Sequence, residues 1–429
     1  MNYRESLSYL DDLQKLGIKF GLDNVRTILD SLNHPQENYL SIHVAGTNGK
    51  GSVCAYLAKI LSLHGIKTGM FTSPHLIRVE ERILTGERPI SSAEFARIAT
   101  WLREAIEKLI SLRKLAHPPT YFEFLTCLAF LFFREKKIDL AVLEVGMGGR
   151  FDATNVVKPL CSVINSISFE HEKFLGETLA KIAFEKAGVI KEGVPVVSGV
   201  EPEEARKAIR EVALLRQAPF VEVFTDETRL EKSGKNDFNY TFLFSYRGEE
   251  YSFRPSLRGI HQGRNAAVAV AVTRWLQENW KPFRKDLIIK AIENTRWEGR
   301  LEILSRKPLF LVDGAHNEEG AGALKDYLDQ FISGRIILVF ACMRDKKVEK
   351  LAEILFPSME KVILTTFPFF RAAKPEELRE RLSGYSTKVM VEAEVGRAVE
   401  KAVRLAGEDG TVLCAGSLYL VGEVKKKVK

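Results

Sequence analysis

The chain has 429 residues, of which 45% are hydrophobic and 28% are charged. This balance is typical of a folded globular protein and excludes a disordered, collagen-like or coiled-coil chain. At about 100–200 residues per domain, the length predicts two or three domains. The longest apolar run, residues 122–133, is interrupted by Glu123 and falls short of the roughly 20 residues that a membrane-spanning helix needs.

The N-terminal segment, residues 1–16, mixes acidic and basic side chains and lacks the apolar stretch of a secretory signal. We therefore expect the protein to stay in the cytoplasm. The 5 cysteines are odd in number and widely spaced, which predicts buried, reduced thiols rather than disulfides or a zinc site.

Lysine and arginine outnumber aspartate and glutamate by 63 to 56, which gives a net charge of +7. A positive chain favours anionic partners, whether nucleic acids, acidic lipids or polyanionic small substrates. The densest basic run, Lys425–Lys427 with Lys429, has no aromatic residues interleaved with it for stacking on bases. We interpret it as a solvated tail.

Short β-branched runs alternate with helical patterns along the chain, which predicts an α/β fold with a mainly parallel sheet flanked by helices. The predicted strands are residues 40–45, 66–71, 140–145, 162–167, 194–199, 309–312, 336–340, 362–366, 388–391 and 412–415. Helices are predicted over residues 50–63 and approximately 262–280. Two pairs, Ser91 with Glu94 and Thr120 with Glu123, match the capping box at a helix start.

The segment 297–300 interrupts this alternation before it restarts. We therefore predict a large N-terminal domain with a phosphate-binding loop over residues 1–296, and a smaller, Rossmann-like α/β domain over residues 297–429.

The strongest local signal is the segment Gly46–Ser52, which follows a predicted strand and begins a predicted helix. Backbone N–H groups of a glycine-rich turn and of a helix N-terminus bind phosphate oxygens, while Lys50 adds a positive charge and the Ser52 hydroxyl can reach a magnesium ion. The spacing is a variant of the general nucleotide-loop pattern, because Gly51 lies between Lys50 and Ser52. We predict a phosphate-binding site here.

Three further residues are candidates for metal binding. Glu144 lies at the end of the predicted strand 140–145, His171 follows strand 162–167, and Lys186 lies in a helical pattern. Ligands gather at the carboxyl edge of a parallel sheet, and magnesium prefers oxygen ligands, so Glu144 is a candidate magnesium ligand. Taken alone, His171 and Lys186 are more typical of ordinary structural positions.

Together these segments resemble the folylpolyglutamate synthase and dihydrofolate synthase family of Mur ligases, which form amide bonds with ATP. The matching motifs run in order from residue 46 to residue 417. Besides the phosphate loop they are Ser73–Leu76, Tyr121–Phe124, Glu144–Asn155, Glu185–Gly188, His261, Gln262, Asn265, Gly299, Arg300, Glu302, Asp313–Asn317, Gly416 and Ser417.

The resemblance implies a role for each matching site residue. The implied ATP-binding residues are Gly49, Lys50, Gly51, Ser52, Asn265, Arg300 and Asp313. The implied catalytic residues are Lys50, Lys186 and His316. Two magnesium ions are implied, one on Ser73 and Glu144 and the other on Glu144, His171 and a carbamate formed on Lys186. The implied substrate residues are Tyr121, Phe122, Glu123, Phe151, Asp152 and Ala153 on the pteridine side and Ser417 for the incoming glutamate.

The resemblance also implies the reaction. The γ-phosphoryl group of ATP moves to a carboxylate of tetrahydrofolate, and the amine of L-glutamate then displaces phosphate from the acyl phosphate to form a γ-linked amide. It leaves open whether 7,8-dihydropteroate is a second acceptor. The implied partners are these small molecules, with no nucleic acid or membrane, and the implied state is a monomer.

One departure and two alternatives accompany this interpretation. The family usually has Asp before the metal-binding His, and Glu170 stands at that position here, which shifts the expected ligand geometry. Another Mur-type amino-acid ligase, such as a cell-wall ligase, would share the chemistry, but residues 1–45 leave no room ahead of the loop for its nucleotide-sugar-binding domain. A nucleic-acid-binding protein with a phosphate loop would also fit the positive charge.

Overall fold

The N-terminal domain is built on a mainly parallel sheet. The computed structural model describes residues 1–15, 17, 19, 21–115 and 117–428. The strands of the first sheet are β1 (Leu40–Ala45), β2 (Thr68–Phe71), β3 (Ile83–Thr85), β4 (Arg88–Pro89), β5 (Leu140–Glu144), β6 (Cys161–Ile164), β7 (Val196–Ser198) and β8 (Phe220–Glu222). Their order is β4-β3-β2-β5-β1-β6-β7-β8, and only the β2-β3-β4 edge is antiparallel among the described strands.

The register of the central strands brings their carboxyl ends together. Val44 of β1 is paired with Glu144 of β5, and Ala45 is paired with Ile164 of β6. On the other side of β5, Phe71 of β2 is paired with Leu143. The loops that follow these strands therefore leave the sheet at one edge, where a ligand can contact several of them at once.

Helices cover both faces of this sheet. They are α1 (Tyr3–Gln14), α2 (Asp23–Ser31), α3 (Lys50–Leu63), α4 (Ser92–Ser111), α5 (Tyr121–Lys136), α6 (Glu172–Leu175), α7 (Leu179–Ala187), α8 (Glu203–Leu215), α9 (Ile260–Asn279) and α10 (Lys285–Asn294), with short 3-10 turns at Pro35–Glu37, Val79–Arg82 and Ala153–Val156. One face packs on α3, α9 and α10, and the other on α1, α2, α4 and α5.

Helix α5 is central to the second of these cores. Every residue from Glu123 to Phe133 is buried, so the helix is covered on all sides instead of presenting one polar face to water. Its capping box pairs the Thr120 hydroxyl with the N–H of Glu123, while the Glu123 carboxylate accepts the Thr120 N–H.

A separate antiparallel sheet of β9 (Arg229–Asn236), β10 (Asn239–Tyr246) and β11 (Glu249–Phe253) packs its buried face against α9. The sequence reasoning did not predict this sheet. Its alternation is weak in β9, which carries charged residues and is mostly exposed.

The C-terminal domain contains a third sheet of order β12-β13-β17-β14-β15-β16. These strands are β12 (Glu302–Arg306), β13 (Leu309–Val312), β14 (Ile336–Phe340), β15 (Lys361–Leu364), β16 (Val389–Val391) and β17 (Thr411–Ala415). Its helices are α11 (Glu318–Phe331), α12 (Val348–Leu355), α13 (Pro375–Arg381), α14 (Val395–Ala406) and α15 (Leu418–Val428), with 3-10 turns at Phe356–Ser358 and Ser383–Tyr385. Apart from β12, its neighbouring strands are parallel.

The predicted α/β fold class is confirmed, and each predicted strand corresponds to an observed one within a few residues. Both predicted capping boxes are present, and the cysteines are free and buried. Among the described residues, no helix combines the length and the apolarity needed to cross a membrane.

The prediction of a solvated C-terminal tail is wrong for Lys425, whereas Lys426 and Lys427 are exposed as predicted. Lys425–Lys427 lie in α15, and Lys425 is only 5% exposed. The reason is that apolar residues of α15 pack into the C-terminal core, which carries Lys425 inward beside two carboxylates. Lys429 lies outside the described residues.

The burial of α5 predicts a large stability cost at its centre. Phe130 is 0% exposed, so Phe130→Ala should lower the free energy of unfolding by about 3–5 kcal/mol through lost burial and cavity formation. Leu214→Ala, at a position that is 79% exposed, should change it by less than about 0.5 kcal/mol. Urea denaturation followed by circular dichroism measures the free energy of unfolding of both variants, and an equal decrease in the two would contradict this packing.

Candidate active site

A cleft of about 1180 Å³ lies where the carboxyl edge of the first sheet meets the C-terminal domain. Nearly all of the predicted site residues line it. They are Gly49, Lys50, Gly51, Ser52, Ser73, Tyr121, Phe122, Glu123, Glu144, Phe151, Asp152, Ala153, His171, Lys186, Asn265, Arg300, Asp313 and His316. The cleft therefore combines loops from β1, β2, β5 and β6 with the segments that precede β12 and follow β13.

The predicted phosphate loop connects β1 to α3. Gly49 precedes the first residue of α3 with a φ of 78°, in the left-handed region that favours glycine. The Lys50 amine donates to the carbonyls of Gly46 and Thr47, each at 3.0 Å. The lysine thus holds the loop closed while the first N–H groups of α3 are directed at the cleft, which is the arrangement of an anion-binding site.

A row of amide side chains holds the loop against α9. Asn165 donates to the Asn48 carbonyl at 2.9 Å and to the Asn265 amide oxygen at 2.8 Å. Asn265 in turn donates to Gln262 at 3.0 Å. These contacts leave no space beside the loop, since a Cβ at Gly49 would lie 2.3 Å from both Asn165 and Asn265.

Glu144 lies at the end of β5 and is 4% exposed. One carboxylate oxygen accepts the backbone N–H of Ser73 at 3.0 Å. Burial raises the pKa of Glu144, and the positive charge of Lys50 opposes the rise. A buried carboxylate of this kind costs free energy unless a cation is near it.

Lys186 lies in the last turn of α7 and is 3% exposed. Its amine donates to the Gly46 carbonyl at 2.8 Å. Burial, together with repulsion from Lys50, lowers the pKa of Lys186 to about 7. A substantial fraction of this amine is therefore neutral, and hence nucleophilic, near neutral pH.

Glu170 connects the two domains. Its carboxylate lies 3.0 Å from Nε2 of His316 and 3.4 Å from the amine of Lys346. Although burial alone would raise the pKa of Glu170, its cationic neighbours, led by His316, hold that pKa well below the usual range. The neighbouring His171 has a φ of 51°, and burial lowers its pKa to about 4, so its imidazole is neutral at pH 7.

A second polar contact joins the two domains beside the phosphate loop. Asn48 and Asn317 exchange amide hydrogen bonds at 3.3 and 3.0 Å, and Asn48 also donates to Glu319. Asn317 caps α11 by accepting the N–H of Gly320. The N-terminal ends of α3 and α11 therefore face each other across the cleft.

Arg300 and Asp313 contribute the C-terminal wall. The Asp313 carboxylate accepts the N–H groups of Leu301 and Ala315, each at 2.8 Å. A Cβ at Gly314 would lie 3.2 Å from a guanidinium nitrogen of Arg300. Asp313 thus fixes the backbone next to the arginine as well as lining the cleft.

Aromatic side chains form the wall near β2 and α5. The Phe122 ring lies 5.6 Å from that of Phe71 and against Gly146, where a Cβ would lie 2.6 Å from the ring. The Arg82 guanidinium lies 5.2 Å from the centre of the Tyr121 ring and donates to His75 at 2.9 Å. This wall can accept a flat, partly polar ring system.

Several predicted substrate residues already have structural partners. Glu123 accepts the Thr120 N–H at 2.6 Å, and Asp152 accepts the N–H groups of Met147 and Thr154 at 2.9 and 3.0 Å. Phe151 is 42% exposed beside Arg150. The caps and the pocket wall are therefore formed by the same residues.

Ser417 does not line the cleft. Its hydroxyl accepts the N–H of Tyr419 at 3.2 Å, while Leu418 and Tyr419 line the wall instead. The predicted contact between Ser417 and glutamate stays a prediction.

The sequence reasoning missed several cleft residues. Asn165 follows β6 at the same edge as Glu144, so the rule that selected Glu144 could have selected it too. Glu170 was noticed only as a departure from the family pattern. Arg82 lies in a segment without a spacing signal, and only the fold brings it to the cleft, as it brings Lys346 to Glu170.

No group of three or more His, Cys, Asp and Glu side chains converges as a metal site among the residues that the structure describes. The candidate metal ligands Ser73, Glu144, His171 and Lys186 nevertheless share the cleft. A cation held here would thus need a hydroxyl oxygen or a modified lysine in addition to carboxylate and imidazole.

Two family models match the chain. The Mur ligase middle domain matches residues 44–273, and the Mur ligase glutamate ligase domain matches residues 299–418. The chain therefore belongs to the Mur ligase family.

Full-length relatives narrow this assignment. The chain is 35% identical to the dihydrofolate synthase/folylpolyglutamate synthase of Bacillus subtilis, over 100% of its own length and 99% of the relative. It is similar to the crystal structure of folylpolyglutamate synthase from Thermotoga maritima, with a TM-score of 0.85, 32% identity, and coverage of 99% of this chain and 96% of that one. It is also similar to the crystal structure of Mycobacterium tuberculosis folylpolyglutamate synthase complexed with ADP and AMPPCP. The TM-score is 0.91 and the identity is 28%, with coverage of 100% of this chain and 99% of that one. Within the Mur ligases, the chain belongs with the folylpolyglutamate and dihydrofolate synthases.

The crowding at Gly49 predicts that an alanine there disrupts the loop. Gly49→Ala combines left-handed strain with a clash against Asn165 and Asn265, and should weaken the binding of magnesium ADP by more than about tenfold, since each 1.4 kcal/mol is tenfold in affinity. Gly65→Ala is the matched control, because Gly65 has a φ of 74° with nothing within 4 Å of a Cβ. Calorimetric titration measures the affinity of both variants for magnesium ADP, and an equal loss of affinity in the two would contradict the role of the clash.

Proposed function

We propose that this cleft joins L-glutamate to a folate at the expense of ATP. The protein is an ATP-dependent Mur-type ligase with folylpolyglutamate and dihydrofolate synthases as full-length relatives. The observation that carries the proposal is the cleft: a phosphate loop on one wall faces Arg300, Asp313 and His316 on the other, with an aromatic wall beside them. ATP, a folate carboxylate and glutamate can meet there.

A carboxylate is a poor acyl donor, so it must be activated before an amine can attack. In the proposed reaction, a carboxylate oxygen of the folate attacks the γ-phosphorus of ATP and ADP leaves. The amine of L-glutamate then attacks the acyl carbon, phosphate leaves, and the amine loses a proton. Lys50 and Arg300 would stabilise the charge on the phosphoryl group, and the closed cleft would keep water from the acyl phosphate.

The donor set fits magnesium. We propose Ser73 and Glu144 as ligands of one ion, because the Glu144 carboxylate is buried with one oxygen on the Ser73 N–H. We propose Glu144, His171 and a carbamate on Lys186 as ligands of a second, since the His171 imidazole is neutral at pH 7. When bound, the ions supply charge neutralisation at the phosphates.

Carbamylation of Lys186 is the modification that the lysine environment favours. Carbon dioxide adds only to a neutral amine, and the pKa of Lys186 is lowered to about 7. The product, a secondary carbamate with one proton released, would replace a buried cation with a pair of anionic oxygens of the kind that magnesium prefers.

For the substrate, we propose that Tyr121, Phe122 and Phe151 contact the pteridine ring. Glu123, Asp152 and Ala153 would shape that pocket through the backbone that they hold, and Asn265 and Asp313 would contact the nucleotide. We further propose a monomeric, cytoplasmic enzyme divided at residues 296/297, with no nucleic-acid or membrane partner. Both dihydropteroate and tetrahydrofolate are proposed as acceptors, because the Bacillus subtilis relative carries both synthase names.

Product analysis tests the proposed function. The purified protein incubated with ATP, magnesium, L-glutamate, dihydropteroate and tetrahydrofolate should yield dihydrofolate and tetrahydrofolate diglutamate by mass spectrometry. Extension of tetrahydrofolate alone would contradict the bifunctional proposal, and neither product would contradict the folate assignment. Omission of L-glutamate is the control.

The role of Lys186 predicts a large effect on turnover. Lys186→Ala should lower kcat on the order of 100-fold or more, the scale of losing a charge-stabilising group in an active site, whereas Lys181→Ala, an exposed lysine on the same helix, should not. With ¹³C-bicarbonate, the wild type should show a carbamate resonance that is absent in Lys186→Ala. Because the pKa is about 7, the amine deprotonates as pH rises, so carbamate formation should speed up between about pH 6 and 8. Near-normal turnover of Lys186→Ala would contradict the role.

A further inference from the structure

The C-terminal helix α15 begins beside the cleft, which its first residues Leu418 and Tyr419 line. A Cβ at Gly422 would lie 1.9 Å from the Leu76 carbonyl oxygen, three residues after the proposed metal ligand Ser73. One turn earlier, on the same face of the helix, Leu418 packs against Gly299 and Gly314. The helix therefore contacts both the segment after β2 and the turn that precedes β12.

Lys425 is the buried charge on this helix. Its amine lies 2.7 Å from a carboxylate oxygen of Glu298, and 2.6 and 2.8 Å from the two oxygens of Glu302. The same Glu302 carboxylate accepts the N–H of Gly299 at 2.8 Å. One lysine thus joins the two ends of the turn 298–302 to α15.

That turn holds an unusual backbone. Gly299 has a φ of 74°, and the buried Leu301 has a φ of 43°, a region that non-glycine residues rarely adopt. The Leu301 N–H is held by Asp313, and the Gly299 carbonyl accepts the N–H of Gly314 at 3.0 Å. Arg300 is presented between these two residues, so the direction of its side chain depends on the turn being held.

The two carboxylates would repel each other without the lysine, because like charges on a short turn favour its opening. Glu298 is 63% exposed on its side chain and could turn to solvent, whereas Glu302, 25% exposed, is fixed by the Gly299 N–H. Loss of Lys425 would therefore release the turn on the side of Arg300 and leave the α15 core in place.

We propose that Lys425 is a positioning residue for Arg300, holding the turn 298–302 so that the guanidinium reaches the bound nucleotide. This inference rests on the proposed contact of Arg300 with the nucleotide. Lys425 acts through Glu298 and Glu302 and does not itself line the cleft.

A double-mutant cycle tests it. The affinity for magnesium ADP is measured by calorimetry for the wild type, Lys425→Met, Arg300→Ala and the double variant. Each single substitution should weaken binding about tenfold, the scale of one charge-assisted hydrogen bond. In the Arg300→Ala background, Lys425→Met should change the affinity less than about twofold, since interaction energies are expected only between coupled residues.

Further variants separate positioning from stability. Lys425→Arg should restore the affinity to within about threefold, because a guanidinium can also join two carboxylates, and Lys426→Met, at an exposed lysine paired only with Glu423 among the described residues, should bind as the wild type does. In steady-state kinetics, Lys425→Met should raise the KM for ATP more than the KM for glutamate. If Lys425→Met does not fold, Glu302→Gln replaces it in the cycle with the same expected result.

The outcomes are distinguishable. Two outcomes would overturn the positioning role alone. One is that Lys425→Met lowers the affinity for magnesium ADP equally with Arg300 present and with Arg300→Ala. The other is that Lys425→Met keeps the wild-type affinity while Arg300→Ala binds more weakly. Wild-type affinity in Arg300→Ala would overturn both the nucleotide contact of Arg300 and the inference that rests on it. Product formation by the wild type tests the ligase function separately.

Discussion

The parallel pairing of β2, β5, β1 and β6 is the constraint on which the site depends. Parallel strands end at the same edge, and the register sets Val44 beside Glu144 and Ala45 beside Ile164. The phosphate loop, the Ser73 segment, Glu144 and Asn165 are therefore neighbours although up to about a hundred residues separate them. A slip of one residue in this register would turn the side chain of Glu144 to the opposite face of the sheet.

The same edge concentrates buried charge. Glu144, Lys186 and Glu170 are each removed from water at a cost in free energy, and Glu170 is offset by close contacts with His316 and Lys346. Glu144 and Lys186 instead show pKa values shifted toward their neutral forms by burial. Unrelieved desolvation of this kind is characteristic of a site that a charged ligand completes, whereas the Glu170 contacts are already complete and join the domains.

Local chemistry explains what the sequence could predict. The strand and helix around the phosphate loop, the capping boxes before α4 and α5 and the candidate ligand Glu144 all follow from patterns within a few residues, and the structure contains them. The resemblance added residues such as Lys186 and Arg300 that no local pattern distinguishes. Asn165 follows β6 and could have been selected by the rule that selected Glu144, whereas Arg82 and Lys346 were missed because their positions depend on how distant segments pack.

The C-terminal lysines show this limit most clearly. A run of lysines in sequence is ordinarily a solvated face, yet in α15 the helical period directs Lys425 inward while Lys426 and Lys427 stay exposed. Its partners, Glu298 and Glu302, are more than a hundred residues away in the chain, so only the packing of α15 on the turn 298–302 reveals the charge match.

The packing of α15 also joins the two walls of the cleft. Gly422 has no room for a side chain against the Leu76 carbonyl, which fixes α15 to the segment carrying Ser73, while Lys425 fixes it to the turn carrying Arg300. A shift of the C-terminal domain must therefore move both wall segments together or break one of these contacts. Because packed interfaces adopt discrete arrangements instead of deforming continuously, α15 holds the Ser73 segment and the turn carrying Arg300 at a fixed spacing across the cleft.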